Sequence, residues 1–168
     1  MDSMTPEQRS RCMAAIKGKD TKPELIVRKY LFSKGLRYRL HNKKLMGSPD
    51  IVLKKYRTII FIDGCFWHGH EGCKYFKMPK SNVFFGEQKI RRNKARDIAN
   101  EYVLKTEGWK VIRIWECDIK NVTLQAEILE KLYRKIVGAS KDSYQIQYTE
   151  ISMAAEPEEF ITNSPTVN

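Results

Sequence analysis

Apolar and polar positions alternate along this chain with two periods, one helical and one extended. Thr5-Pro6-Glu7-Gln8 combines an N-cap residue, a proline at the first helical position and a capping-box glutamine. That signal predicts a helix from Thr5 through Met13 and Ile16 to a stop near Gly18. The stretch has few apolar positions to bury, and Arg9, Arg11, Lys17 and Lys19 make it basic, so it reads as an arm laid on a partner. Thr21-Lys22-Pro23-Glu24 repeats the opening signal. Leu25, Val27 or Arg28, Leu31 and Phe32 then form a helical stripe closed by Gly35. On spacing alone Glu24 is a capping-box carboxylate.

Extended segments follow. Tyr38-Arg39-Leu40 fits a short strand, and Leu45 to Pro49 is turn-like. Asp50-Ile51-Val52-Leu53 and Ile59 to Ile62 are short runs rich in β-branched and aromatic residues, which predict buried strands. The short polar link between them predicts an antiparallel hairpin. Asp50 begins one strand and Asp63 ends the next, so both carboxylates belong to the same end of the pair. Ser81 or Asn82 caps a long helix ending before Gly108. Trp109 to Trp115 alternates apolar and basic residues, as a strand with one buried face does. Leu124, Ile128, Leu132 and Ile136 then predict a helix that stops at Gly138. The order is helix, helix, two or three strands, helix, strand, helix. That is an α/β fold, a sheet sandwiched by helices.

Charge adds a partner to this outline. The chain of 168 residues is sized for one domain and carries a net charge of +11. All 31 Lys and Arg fall within residues 1–141, whereas residues 142–168 hold acidic residues and no basic one. A body this basic is either a solvated surface or a polyanion-binding face, nucleic acid first. The cationic run from Lys89 to Arg96 has few acidic partners, which favours phosphate contact. From residue 139 onward Ser, Thr, Asn, Pro and acidic residues dominate, and a flexible tail is expected. No apolar run approaches the roughly 20 residues that span a bilayer, so a soluble, intracellular protein without a membrane role is expected. Four cysteines are too sparse for a disulfide scaffold and suit metal ligation or free thiols.

The chemistry concentrates in Cys65-Phe66-Trp67-His68-Gly69-His70-Glu71-Gly72-Cys73, directly after the Ile59 to Ile62 strand. Cys65, His70, Cys73 and the distant Cys117 can form a tetrahedral Cys₃His site of the structural zinc type, with His68 as an alternative fourth ligand. Asp50 and Asp63 can hold a hard divalent cation such as Mg²⁺ with a main-chain oxygen. Phosphodiester hydrolysis uses such a cation to stabilise charge and acidify a water, and His68 is placed to take the proton. Phe66 and Trp67, on a loop stiffened by metal, are either core or a wedge that stacks between base pairs.

The segments Leu45-Met46-Gly47-Ser48-Pro49-Asp50, Ile60 to His70, Asn93-Lys94-Ala95-Arg96-Asp97 and Trp115-Glu116-Cys117 resemble the very-short-patch-repair (Vsr) endonucleases. The resemblance runs over about residues 5–137 and takes in Arg9 to Ile16 and Asp20 to Glu24. It implies a restriction-endonuclease-like PD-(D/E)xK core with a structural zinc. It implies a Mg²⁺-dependent activity that nicks duplex DNA 5′ to the T of a T:G mismatch, the lesion left when 5-methylcytosine deaminates. By position, Asp50 and the backbone oxygen of Ile62 match Mg²⁺ contacts. His68 matches the catalytic histidine, Asp97 its orienting partner, and Asp63 and Glu24 further active-site positions. Cys65, His70, Cys73 and Cys117 match the zinc ligands, Phe66 and Trp67 the wedge, and Met13, Lys89 and Asn93 positions near the mispair.

An endonuclease domain over residues 1–138 is therefore expected, with residues 5–18 as a DNA-contacting arm, residues 139–168 as an acidic tail, and a cytoplasmic monomer as the acting species. Met46 and Ser48 depart from the family pattern, and Gly86 stands where a third wedge aromatic is usual, with Phe85 next to it. Two other readings compete: a nuclease of the same core with different specificity, and a zinc-containing DNA-binding module without catalysis. The three residues Asp50, Asp63 and His68 argue against the last.

Overall fold

The computed structural model describes residues 5–15, 18–78 and 83–153, with residues 139–153 as backbone alone. Two helices open the chain, α1 (Pro6–Ala14) and α2 (Lys22–Ser33). Three short strands follow: β1 (Arg39–Leu40), β2 (Ile51–Leu53) and β3 (Thr58–Asp63). The long helix α3 (Val83–Thr106) leads to β4 (Lys110–Trp115), and α4 (Glu116–Lys120) and α5 (Val122–Met153) complete the described chain.

The strands form one mixed sheet in the order β1-β2-β3-β4. β1, β2 and β3 are antiparallel neighbours, with Ile51 opposite Ile60. β4 runs parallel to β3, with Asp63 opposite Trp115. A parallel pair needs a crossover connection, and α3 supplies it. Alternation along the strands divides the apolar side chains between two faces. Ile51, Leu53, Ile60, Ile112 and Ile114 pack with Val27 and Leu31 of α2, Ile119 of α4 and Leu129, Leu132 and Ile136 of α5. Val52, Ile59 and Phe61 pack on the other face against Leu104 of α3. At about 1.5–3 kcal/mol for each fully buried aliphatic side chain, the first face holds most of the hydrophobic stabilisation. The second face keeps room for polar groups at the sheet end.

The hairpin and the order of elements agree with the sequence reading; several details differ. α1 ends at Ala14 rather than near Gly18, although its capping box forms: the Thr5 amide donates to Gln8 Oε1 at 2.9 Å and the Gln8 amide to Thr5 Oγ1 at 3.3 Å. The buried face of α2 is Pro23, Glu24, Val27, Arg28 and Leu31, so Leu25 and Phe32 are exposed, and Phe32 packs under the Arg37 guanidinium instead. Leu124, in the first turn of α5, is also exposed. Gly138 does not stop α5, which continues to Met153. A single helical glycine costs only about 1 kcal/mol relative to alanine and does not by itself end a helix. Glu116-Cys117-Asp118 follows β4 directly as the first turn of α4. Ser81 and Asn82, the expected cap of α3, lie outside the described residues, as does the chain beyond Met153. Among the described residues no helix is long and apolar enough to cross a membrane.

Candidate active site and metal centre

Sheet polarity gathers the reactive side chains at one edge. β2 starts there, and β3 and β4 end there, so Asp50, Asp63 and the loop after Gly64 meet the start of α4. A cleft of about 710 Å³ opens at this edge, and Glu24, Asp50, Asp63, Trp67, His68 and Asn93 line it. The Asp50 side chain accepts the Ile62 amide at Oδ2, 2.8 Å away. Burial lifts its pKa from 3.8 to about 6, with the Ile62 hydrogen bond opposing that rise and the nearby Glu24 and Asp63 carboxylates adding to it. His41 also opposes the rise, and the balance leaves Asp50 a largely buried carboxylate that a bound cation would favour in its charged form.

His68 sits between two acids on the α3 side. Its Nδ1 is 2.5 Å from Asp97 Oδ2 and 3.7 Å from Asp63 Oδ1. With Nδ1 donating to carboxylate, Nε2 carries the free lone pair, the arrangement a general base requires. Asp63 has its own cation: Arg113 Nη1 bonds its Oδ2 at 2.5 Å, while Arg113 Nε reaches Glu101 Oε2 at 3.1 Å. The Arg113 guanidinium also lies over the Phe61 ring, 4.9 Å from its centre. Asp63 and Arg113 face α3 because they occupy the same alternation phase on neighbouring parallel strands. Glu24 is nearly inaccessible. It accepts the Asp20 and Thr21 amides at 3.0 and 3.4 Å and binds Arg28 Nη2 at 2.7 Å, so the capping role and a buried ion pair coexist.

The second cluster is the loop behind this cleft. The ligand atoms of Cys65, His70, Cys73 and Cys117 all lie within 4.8 Å of one another. The His70 amide closes a turn onto the Cys65 carbonyl at 2.9 Å, and Glu116 Oε1 accepts the Cys65 amide at 3.0 Å. His70 stacks on Trp115 with ring centres 4.0 Å apart and 5° between planes. Gly69 has φ +62°, and a Cβ there would come within 2.5 Å of Lys94 and 2.8 Å of Ile90, so only glycine lets the loop lie against α3. Burial raises the Cys65 and Cys117 thiols, and their mutual proximity raises Cys117 further. His68, the alternative fourth ligand, is instead held by Asp97 and stands outside the cluster.

The aromatic pair between the clusters is braced by α3. Phe66 and Trp67 meet edge to face, 5.0 Å apart at 83°. Asn93 Nδ2 donates to the Trp67 carbonyl at 2.9 Å, and the Lys89 ammonium sits 4.6 Å from the Trp67 ring centre. Phe84 and Phe85 stand exposed about one turn before Lys89 on α3. Met13 lies on α1, and its side chain is outside the described residues.

The site therefore brings together Glu24, Asp50, Ile62, Asp63, His68 and Asp97, and separately the four metal-type ligands. Sequence reading missed Arg113, His41 and Arg28. A basic residue on the strand opposite Asp63 is a usable signal for Arg113; an alternating strand simply assigns such residues to solvent. A family model described as DNA mismatch endonuclease Vsr matches residues 1–74. The type II nicking enzyme V.NmeAIP of Neisseria meningitidis is 49% identical over 138 residues, covering 82% of this chain and 98% of that protein. The type II nicking enzyme V.HpaIIP of Haemophilus parainfluenzae is 43% identical over 141 residues, covering 82% and 99%. The DNA mismatch endonuclease Vsr of Escherichia coli is 39% identical over 112 residues, covering 67% and 71%. With relatives this similar along most of its length, the chain belongs to the Vsr family of DNA mismatch endonucleases and is a DNA-hydrolysing enzyme.

Proposed function

We propose that this protein nicks one strand of duplex DNA on the 5′ side of the T in a T:G mismatch, with Mg²⁺ at the cleft and Zn²⁺ in the cysteine cluster. It acts as a cytoplasmic monomer, with residues 1–138 as a PD-(D/E)xK-type endonuclease domain and residues 139–168 as an acidic extension. The observation that carries the reading is the His68–Asp97 contact in the same cleft as the largely buried Asp50 carboxylate. A proton acceptor and a cation-hungry carboxylate share one cleft on a basic protein.

Asp50 would hold Mg²⁺ with the backbone oxygen of Ile62. A strand residue's N–H and C=O project to the same side, and the Ile62 N–H already meets Asp50. A cation there supplies charge stabilisation to the attacked phosphate and acidity to a water. His68 takes the water's proton at Nε2, and Asp97 fixes its tautomer and supports the imidazolium that results. Arg113 holds Asp63 beside the imidazole, and Glu24 closes the α2 side. Trp67 and Phe66 wedge between bases at the mispair, with Lys89, Asn93 and Met13 beside them and the basic residues of α1 and α3 on phosphates.

The cysteine cluster fits zinc on its spacing. Zn–S bonds of about 2.3 Å and Zn–N bonds of about 2.0–2.1 Å in a tetrahedron put S and N about 3.6 Å apart. Cys65 Sγ and Cys117 Sγ lie 3.6 and 3.4 Å from His70 Nδ1. The four ligands leave no open position, so the ion is structural and stiffens the Phe66-Trp67 loop.

A strand-resolved cleavage assay tests the proposal. It uses duplexes carrying one T:G pair in varied flanking sequence, with matched duplexes and Mg²⁺-free reactions as controls. A Mg²⁺-dependent nick 5′ to the mismatched T is expected. Equal cleavage of matched duplexes would make the protein a nuclease of another specificity.

A further inference from the structure

Beside the cleft, Asp20, Glu24 and His41 place their ligand atoms within 4.8 Å of one another, a spacing that suits a cation. The cation is already present. Arg28 Nη1 bonds Asp20 Oδ1 at 2.5 Å, and Nη2 bonds Glu24 Oε2 at 2.7 Å and lies 2.8 Å from His41 Nε2. This arginine is only 6% exposed, and its Nε is a buried nitrogen without a hydrogen-bond partner. Burying a guanidinium with an orphaned N–H is costly, so the arrangement calls for a role beyond packing.

The donor rules fix what His41 must be. A guanidinium has five N–H donors and no acceptor, so His41 Nε2 accepts and carries the lone pair. The ring proton of the neutral imidazole is then on Nδ1. That nitrogen lies 3.9 Å from Asp50 Oδ1, while Oδ2 of the same carboxylate is taken by the Ile62 amide. The backbone brings His41 beside Asp50. His41 has φ +43°, a left-handed conformation costly for most side chains, and its amide pairs with the Asp50 carbonyl at 3.3 Å.

We propose that His41 is a positioning residue for Asp50, locked by Arg28 as the neutral Nδ1–H tautomer and aiming that N–H at the carboxylate oxygen left free for a metal ion. At 3.9 Å the contact is longer than a hydrogen bond, so His41 acts on the carboxylate as a dipole. Outer partners of metal-binding carboxylates typically affect affinity about 10–100-fold. The inference rests on the reading of Asp50 as the Mg²⁺ ligand.

Two substitutions split the two ends of the ring. His41→Asn keeps a donor where Nδ1 stood, drops the acceptor for Arg28, and tolerates positive φ. His41→Gln keeps an acceptor for Arg28 and drops the donor toward Asp50. The full-length, zinc-loaded proteins are compared by Mn²⁺ binding, by the Mg²⁺ concentration giving half-maximal nicking, and by the nicking rate at saturating Mg²⁺. His41→Gln is expected to need about tenfold more metal in both titrations, with a saturated rate close to the parent's, and His41→Asn to stay within about threefold. Equal behaviour of the two variants, or a greater loss in His41→Asn, overturns the proposal. Nitrogen NMR of the parent tests the tautomer directly: a protonated Nδ1 with a bare Nε2 supports the proposal, and a protonated Nε2 refutes it. If the parent neither nicks nor binds Mn²⁺ at a site lost in Asp50→Ala, the metal reading of Asp50 fails instead, and the tautomer still decides the claim about His41.

Discussion

Asp63 and Arg113 form an ion pair across two parallel strands, with Arg113 Nη1 2.5 Å from Asp63 Oδ2 and the carboxylate side chain 5% exposed. The pair explains how an aspartate can sit in the core end of β3 next to His68. Its cost structure is asymmetric: removing one partner leaves the other charge buried. Arg113→Met is therefore expected to destabilise the fold by about 2 kcal/mol, below the range for fully buried pairs because Arg113 is partly exposed. The double variant Asp63→Asn, Arg113→Met should recover part of that loss. Urea unfolding of the four proteins measures the coupling, and additive losses would refute the pairing.

Replacing His68 with Ala should lower the nicking rate at saturating Mg²⁺ by about 10²–10⁴-fold, the usual contribution of a positioned base. Asp97→Asn should lower it less, since the ring stays and an amide oxygen can still accept from Nδ1, while the charge that supports the imidazolium is lost. The two act as one unit, so the double variant should be no slower than His68→Ala alone. Single-turnover nicking compares all three, and multiplicative losses would separate the two residues.

Asp50 makes a prediction in which stability and activity move in opposite directions. Its carboxyl ionises near 3.8 unfolded and about 6 folded, so the stability it leaves intact below pH 4 is lost as pH rises through 6. Asp50→Asn removes the buried charge while keeping an oxygen for the Ile62 amide. In zinc-loaded protein without added Mg²⁺, this variant should gain about 1–3 kcal/mol over the parent at pH 7.5 and little at pH 4. Nicking should vanish at any Mg²⁺ concentration. Denaturation at the two pH values checks the sign; a parent more stable than the variant at pH 7.5 would mean the folded carboxylate is already compensated.

Most of the frame was legible because it rests on local signals. The hairpin follows from two short apolar runs and a polar link, and the hairpin alone puts Asp50 and Asp63 at one end. Cys65, His70, Cys73 and Cys117 were legible through ligand chemistry, since two thiols and an imidazole after one strand, with a third thiol after a later strand, invite a common ion. Arg113 was hidden by the rule that located its strand, because alternation sends basic residues outward by default. His41 depends on a positive φ and on a buried arginine thirteen residues earlier, which only tertiary packing reveals. Gly138 misled for the same reason: its meaning depends on what surrounds the helix, and α5 passes through it to Met153.

The loop after β3 offers the last test, because in the proposed function it carries both metal ligands and the Phe66–Trp67 pair. Cys117 enters from α4, so it is the ligand that ties the β4 end to the loop after β3. Cys117→Ser removes a thiolate from a four-ligand site, and free energy of metal binding is also free energy of folding. The variant should lose zinc and unfold at lower denaturant than the parent, and a chelator should bring the parent down to the variant's stability. The loop that carries Trp67 would loosen with it, while the α3 contacts from Asn93 and Lys89 remain. Trp67→Ala provides the comparison: zinc content and stability should stay close to parental, and discrimination between T:G and matched duplexes should fall by about 1–3 kcal/mol, the worth of one stacked base. Zinc analysis, unfolding and duplex binding on both variants separate the two roles. A Trp67→Ala protein that loses zinc, or a Cys117→Ser protein with parental stability and a parental response to chelator, would show that the loop is organised by packing and not by metal.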